Sequence, residues 1–190
     1  MTDPQQTARE HLRADEQLLW AGTSDPAKVF APRDAFLVPF SLLWCGFAVF
    51  WESQAVDSGA PWFPVLFGGV FVVIGLHIVV GRFLVKRHRK RTTTYAVTNR
   101  RALILTPRST REVPVGRTDR STTWDRERRH CTVEWNEGDR SDVRSLSMGG
   151  GVARIYANTG LDGLFGPQSF AFWDVRDGDE LVRSLELATR

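Results

Sequence analysis

The sequence predicts a membrane-anchored α+β protein, in which a two-helix transmembrane hairpin precedes an antiparallel β-barrel or sandwich capped by a C-terminal helix. Three observations support this prediction. Two apolar stretches, 35–51 and 62–81, contain no Asp, Glu, Lys or Arg, a basic decapeptide follows the second, and short alternating segments fill the remainder. The mean hydropathy of −0.24 and the net charge of +3 conceal this division because they average unlike parts.

The two apolar stretches have the lengths and patterns of membrane-spanning helices. At a rise of about 1.5 Å per residue, 62–81 is about 30 Å long and 35–51 about 25 Å, the lower limit for crossing a bilayer. Both are apolar on all sides. Trp51 and Trp62 bracket the connection 52–61, where membrane-interface aromatics are expected. A buried helical hairpin in a soluble protein is the alternative, but the polar remainder offers too little apolar surface to cover it.

The charge distribution predicts the orientation of this hairpin. Net charge is −2 over 1–34, −2 over 52–61, +6 over 82–91 and +1 from residue 92 onward, which sums to +3. Positive charge favours the cytoplasmic side, so we expect 82–91 inside and 52–61 outside. Two spans then place both termini in the cytoplasm, as a multi-pass protein of the cytoplasmic membrane. Residues 1–34 are polar and acidic, and we expect no cleavable signal peptide.

Small residues predict how the two spans pack. Ser41, Cys45 and Ala48 follow helical spacing on one face of the first span, and Gly68 and Gly75 lie seven residues apart on the second. Small side chains let helix backbones approach closely, so these faces are expected to meet.

His77 is a candidate functional group within the second span. Apart from Cys45, no other titratable side chain lies in either stretch, and ionisable groups at that depth are often functional. It lies near the cytoplasmic end, so a neutral histidine bonded to the partner helix or to interfacial water is the simpler interpretation.

Basic residues after the second span are candidates for binding an anionic lipid. Juxtamembrane clusters gain about 1 kcal/mol per charge near anionic headgroups. Setting the topology is the simpler role for 82–91, and solvent exposure for the two arginines of the following turn. No nucleic-acid partner is expected, because stacking aromatics are missing from the run. The candidates are Arg82, Lys86, Arg87, Arg89, Lys90, Arg91, Arg100 and Arg101.

The chain from 92 to 190 has the pattern of a small β domain. Segments 92–98 and 101–106 predict a hairpin around a tight Asn99-Arg100 turn. An acidic start at 177–180 and apolar residues at helical spacing predict a C-terminal helix that covers one end of the sheet. Further strands are predicted at 111–115, 129–135 (before a turn at 136–139), 142–148, 152–157 and 169–173.

The segment TTTYAVTNRRALIL (92–105), placed directly after an apolar hairpin and a basic run, resembles the bacterial pleckstrin-homology-like (PH) domains. In these a Y-x-V/L-T-[ND]-x-R strand-turn-strand opens the module. The closing FAFWDVRDGDELVRSLELA (170–188) and the upstream DEQLLWAG (15–22) look like corresponding parts of such proteins, whereas 116–150 departs from them. The resemblance implies a partly open β-barrel with a capping helix, usually without assigned enzymatic activity.

The segment DEQLLWAG is not expected to be a free tail. Two leucines and a tryptophan exposed together would favour aggregation, so we expect the segment to dock on the cytoplasmic domain or on the membrane surface.

No catalytic residue, metal site or cofactor is predicted. Two cysteines cannot form a disulfide framework or a zinc site. His130 and Cys131 are strand neighbours that point to opposite faces, and Cys131 shares a core-like face with Val133 and Trp135. The glycines 149–151 lack a phosphate-loop pattern.

These features predict a non-enzymatic membrane protein whose cytosolic domain is a binding or scaffolding module. The lipid bilayer is one partner, and a protein partner or a second copy of the chain is the other. An anionic-lipid headgroup sensor is the first alternative. A subunit of a membrane transporter or enzyme complex is the second, although the spans contain few polar side chains that could face a pathway.

Overall fold

The computed structural model describes residues 3–31, 34–117, 119–135, 158–161 and 169–189. Within them the helices are α1 (Pro4–Arg9), α2 (Asp34–Asp57), α3 (Trp62–Leu76), α4 (Arg82–Thr92) and α5 (Gly178–Thr189). The strands are β1 (Leu18–Thr23), β2 (Thr94–Thr98), β3 (Arg101–Thr106), β4 (Ser109–Pro114), β5 (Arg120–Trp124), β6 (Cys131–Trp135) and β7 (Ala171–Val175). The strands predicted at 142–148 and 152–157, the turn at 136–139 and the glycines 149–151 lie outside the described residues.

Among the described residues, two helices are long and apolar enough to span a membrane. One is α2, and the other runs from Trp62 to Thr92 through α3, a π-helical turn (His77–Gly81) and α4. A core helix of a soluble protein would be mostly buried, whereas only 22% and 11% of the apolar windows of these helices are buried. The helices pack against each other as a hairpin that projects its aromatic side chains outward.

Helix α2 is longer than the span predicted for it. It continues past Trp51 to Asp57, so the predicted connection 52–61 shrinks to 58–61. No helix-breaking residue occurs between these positions, and the helix ends where Gly59 adopts a left-handed conformation (φ 68°) that other residues rarely accept. The basic segment 82–91 is likewise helical, as α4.

The strands form two antiparallel sheets, in the orders β1-β2-β3-β4 and β5-β6-β7. The predicted hairpin is confirmed as β2 and β3, with Tyr95 opposite Ile104. In the part of the chain that the structure describes, one isolated bridge, between Ser24 and Val175, connects the two sheets at their margin. The predicted C-terminal helix is also confirmed, as α5.

The sheets share one hydrophobic core, which α5 closes. The Phe172 ring of β7 stacks on Tyr95 of β2 and lies 6.4 Å from the Trp20 ring of β1, at an angle of 27°. Leu181 and Leu185 of α5 are buried in the same cluster. The architecture is therefore α+β, with two apolar helices, two antiparallel sheets and a C-terminal helix.

The N-terminal segment is part of this domain, as the docking prediction required. Strand β1 pairs along β2, and α1 covers the outer face of the same sheet through Ala8. The Trp20 ring lies over Gly22, where a Cβ atom would come within 2.5 Å of it. The helical hairpin is thus an insertion between two neighbouring, paired strands.

Candidate functional site at the base of the hairpin

The cations of α4 lie on two sides of the helix. Arg82, Lys86 and Lys90 recur every four residues, share one face and are buried. Arg87 and Arg91 are exposed on the other side, and Arg89 is half-buried. The structure therefore reduces the set of cations predicted to bind an anion, because Arg82, Lys86 and Lys90 are buried inside the protein.

Arg82 joins the two ends of the hairpin. Its guanidinium lies 2.9 Å from the carboxylate of Asp34 at the start of α2, and both side chains are almost completely buried. The guanidinium also lies over the Phe83 ring, 4.4 Å from its centroid. Gly160 packs against the Arg82 carbonyl, where a Cβ atom would be 2.1 Å from the oxygen. The ion pair thus joins the two helices at the base of the hairpin.

Lys90 makes a second connection, one helical turn before the sheet begins. Its ammonium donates to the Asp174 carboxylate at 2.7 Å and to the carbonyl of Lys28 at 2.7 Å. Burial alone would raise the pKa of Asp174, but the Lys90 ammonium, the Asn158 amide and Lys28 lower it from 3.8 to about 2. Residues before α2, in α4 and in β7 therefore meet at Asp174.

His130 extends this network to the second sheet. Its two ring nitrogens lie 2.7 Å from the Asp125 carboxylate and 2.8 Å from the Asp25 carboxylate. Arg176 donates to Asp25 as well, at 2.9 Å. Desolvation opposes ionisation of Asp25, but its bonds to His130, Ala27 and Arg176 lower the pKa of that carboxyl. We call Asp25, Asp125 and Asp174, with their basic partners, the aspartate cluster.

The aspartate cluster makes stability depend on acidity. The pKa of Asp174 is lower in the folded chain, so its contribution is complete above about pH 4 and is lost as the pH falls toward about 2. The shift corresponds to about 2 kcal/mol. We expect Asp174→Asn to be less stable at neutral pH and to lose less stability on acidification.

Denaturant unfolding of the purified protein over a pH series measures this effect. Glu180→Gln, on the exposed side of α5, is the control and should keep the full acid dependence. An unchanged acid dependence in Asp174→Asn would contradict the role of this carboxylate.

The two predicted turn arginines also have partners. Arg101 donates to the Glu16 carboxylate at 2.7 and 2.8 Å and pairs with Glu112. The bond from Arg101 lowers the pKa of Glu16. Arg100 is more than half exposed and pairs with Asp15. Arg101 therefore fixes the N-terminal segment to β3, away from the base of the hairpin.

A pocket of about 600 Å³ opens between α4 and the β3–β4 hairpin. Its size is typical of a small-molecule site. Tyr95 and Trp173 contribute aromatic rings to its wall, and Ile104 and Val85 contribute apolar surface. The basic residues that line it are Lys86, His88, Arg89, Lys90, Arg108 and Arg111.

The described part of the pocket wall is basic and rich in hydroxyl groups. It contains no Asp or Glu among the described residues, and the Lys90 ammonium donates to the Asp174 carboxylate. Ser24 and Trp173 are held in place by the Tyr95 hydroxyl, which lies 3.0 Å from the Ser24 hydroxyl and 3.3 Å from the Trp173 amide nitrogen. Hydroxyl groups are contributed by Thr92, Thr93, Thr106, Ser109 and Ser169. This wall suits an anion with an apolar portion.

The residues predicted to pack the spans lie along the hairpin interface. Ser41, Ala48, Gly68 and Gly75 are buried, and Gly75 lies against Cys45, where a Cβ atom would be 3.2 Å away.

Four other side chains of the hairpin bear on the predictions. Glu52, which the prediction placed in the external connection, rests its carboxylate over Gly68. Trp51 and Trp62 are exposed. His77 is exposed too, and its ring lies over Gly81 within the π-helical turn.

Cys131 is buried in the core and is chemically quiet. Burial, with the nearby charge of Asp179, raises the pKa of its thiol to about 11. Its face of β6 is shared with buried Val133 and Trp135, as predicted, while His130 is engaged by carboxylates. A base and a nucleophile do not meet here.

Thiol labelling tests the burial of Cys131. In a Cys45→Ala background we expect a maleimide at mild alkaline pH to modify Cys131 far more slowly in the folded protein than in denaturant, because the thiolate is scarce and shielded. Comparable labelling rates in the two conditions would contradict the placement of Cys131 in the core.

Sequence reasoning missed the part of the pocket that lies outside α4. Arg108, Arg111 and Trp173 come from a turn and two strands that are separated along the chain. One signal was available, since Arg108 follows the predicted strand 101–106 in a turn-forming TPRS sequence, but no local pattern joins it to Trp173.

Comparison with protein-family models, curated proteins and solved structures found no match for this chain.

Proposed function

We propose that this chain is a non-enzymatic integral membrane protein that holds a cytosolic PH-like binding or scaffolding module at the inner face of the cytoplasmic membrane. One observation carries the proposal: the apolar hairpin is inserted between paired strands β1 and β2. A domain built from chain on both sides of a hairpin remains next to the surface from which the hairpin projects.

The insertion supports an orientation with both termini on one side. Strand β1 precedes the hairpin and β2 follows it, and the two are paired along their length. If α2 and α3 cross a bilayer, the sheet and both termini lie on the same side of it. The positive charge of 82–91 favours the cytoplasm for that side.

The contacts at the hairpin base support a module held close to the membrane. Gly160 of the domain packs against the Arg82 carbonyl, and the Lys90–Asp174 pair joins α4 to β7, so α4 contacts the domain at two positions. A long flexible linker would let the domain move away from the bilayer, whereas a continuous helix fixed at two points holds it there.

Cysteine accessibility in intact cells tests the membrane topology. In a background with Cys45 and Cys131 replaced by alanine, we expect an impermeant maleimide to label Ser58→Cys in the short connection. Gln6→Cys and Glu186→Cys, both exposed on the domain, should react only after permeabilisation. External labelling of either domain position would contradict the proposed orientation.

Crosslinking in native membranes tests the binding or scaffolding role. We expect the full chain to form a discrete crosslinked species with a protein partner or a second copy. A chain that yields only the monomer across several linker lengths would contradict a scaffolding role and leave a lipid-directed role as the better description.

A lipid-directed role is the second candidate, and the pocket favours it. Six basic residues line a cavity whose wall includes the helix that continues the second apolar helix, although one of them, Lys90, is bonded to Asp174. A transporter or enzyme subunit has less support. Buried Cys131 and carboxylate-bound His130 offer no reactive pair, and His77 faces outward from the hairpin.

A further inference from the structure

We propose that the pocket between α4 and the β3–β4 hairpin binds a phosphate-bearing anion, with Arg89 and Arg108 as its principal contacts. The inference rests on the proposed membrane anchoring, and it assigns a ligand class and a site to the module. It differs from attraction by the basic segment as a whole, because Arg87 and Arg91 of the same helix do not line the pocket.

The pocket is lined by the kinds of side chain that bind phosphate. Arginine guanidinium groups donate paired hydrogen bonds that match the geometry of phosphate oxygens, and hydroxyl groups donate to the remaining oxygens. Arg89 reaches the pocket from α4, and Arg108 reaches it from the turn between β3 and β4. Two arginines from separate elements, with threonine and serine residues lining the same pocket, provide donors that suit a phosphate group.

Apolar side chains in the pocket favour an organic phosphate over an inorganic one. Trp173, Ile104 and Val85 also line the pocket and add apolar side chains to it. Inorganic anions gain nothing from such a surface. An organic phosphate, whose carbon atoms can cover it, gains from both halves of the pocket.

The pocket lies close to the end of the predicted second span. Val85 and Lys86 follow Gly81, the end of the predicted span, by four and five residues, or about 6–8 Å along a helix. The headgroup layer on each side of a bilayer is about 5–8 Å thick. The α4 wall of the pocket therefore begins at the depth of lipid phosphates. A lipid headgroup and a soluble organic phosphate share this chemistry, and the experiment has an arm for each.

The structure offers a matched pair of variants. Arg89→Gln with Arg108→Gln removes two charges from the pocket. Arg87→Gln with Arg91→Gln removes two charges from the exposed side of the basic segment. Arg108→Gln alone is the second pocket variant. Its side chain is exposed, so loss of folding does not confuse the result.

Titration of the detergent-solubilised full chain, followed by native mass spectrometry and by thermal stabilisation, measures binding. One arm uses short-chain phosphatidylglycerol and phosphatidylcholine, which share a phosphodiester, although the choline cation would be repelled by the basic wall. The other arm uses glycerol 3-phosphate, which has no acyl chains. We expect the wild-type protein to prefer phosphatidylglycerol to phosphatidylcholine.

The double variant Arg89→Gln with Arg108→Gln should bind phosphatidylglycerol at least about tenfold more weakly, because each charged contact to the phosphate contributes strongly to the binding free energy. Arg108→Gln alone should lose a smaller part of the affinity for phosphatidylglycerol. The variant with Arg87→Gln and Arg91→Gln should change that affinity by less than about twofold. Binding of glycerol 3-phosphate with the same dependence on the pocket variants supports the site and assigns it a soluble ligand.

Two results would overturn the inference. Equal losses in the two double variants would show diffuse attraction by the basic segment, and no binding in either arm would show that the pocket does not take a phosphate. Either result together with normal cysteine accessibility leaves the proposed anchoring intact. Abnormal accessibility counts against the anchoring itself.

Discussion

Replacing Arg82 with alanine is expected to destabilise the protein by about 3–5 kcal/mol, because it leaves the Asp34 carboxylate buried without its counter-charge. Both side chains are almost fully inaccessible, so water cannot take the place of the guanidinium. The variant should also loosen the attachment of the hairpin to the domain, since Gly160 packs on the same turn of α4.

Unfolding of the detergent-solubilised protein, followed by heat or denaturant, measures this loss. Arg87→Ala, an exposed cation on the same helix, is the matched control and should change stability by less than about 0.5 kcal/mol. The double variant Asp34→Leu with Arg82→Met should recover most of the loss, because an apolar pair of similar volume avoids the cost of a buried charge. A double variant as unstable as Arg82→Ala would show that the ion pair is not the cause.

Truncating Trp20 to alanine is expected to cost about 3–5 kcal/mol and to disrupt the β domain, although Trp20 precedes the hairpin in the sequence. Its side chain is 7% exposed and lies in the core with Tyr95 and Phe172. Removing a ring of this size opens a cavity between the two sheets.

Leu19→Ala is the control for Trp20→Ala. Leu19 is the residue of β1 directly before Trp20 and is 36% exposed, so its truncation should cost much less. Chemical denaturation together with near-UV circular dichroism distinguishes the two variants. Equal, small effects would indicate that the segment before the hairpin is not an integral part of the domain.

By the same reasoning, residues 92–190 expressed alone should not fold stably, since β2 would lose its partner strand.

Local sequence patterns predicted much of the fold. The apolar stretches identified the two long helices, Asn99 and Arg100 marked the turn of the β2–β3 hairpin, and the alternation of 131–135 marked β6. Each of these signals lies within a single element, where the spacing of apolar residues directly reflects the geometry of a helix or a strand.

Two strands were missed because their local signal is weak. Strand β5, Arg120–Trp124, is made of polar residues on both faces except for its last position, so it has no apolar alternation. Strand β1 was recognised only as a segment that must dock, since LLWAGT lacks a two-residue period. Its strand conformation depends on pairing with β2, more than 70 residues away along the chain.

The different positions of the cations in the basic segment could not be predicted from the sequence. Six cations in ten residues are equal in the sequence, but in the structure they are divided by the side of α4 on which they lie. Arg82 and Lys90 are taken up by Asp34 and Asp174. Arg101 is taken up by Glu16, 85 residues earlier. No local pattern indicates such partners.

The sequence by itself determined the two apolar helices, the basic segment between hairpin and domain, and the α+β class, because hydrophobic periodicity and charge are properties of contiguous residues. Only the tertiary structure decided that the hairpin is inserted into a sheet, that half of the basic segment is structural, and that Arg89, Arg108 and Trp173 share one pocket. These are contacts between distant residues, and they exist only once the two sheets have packed around their common core.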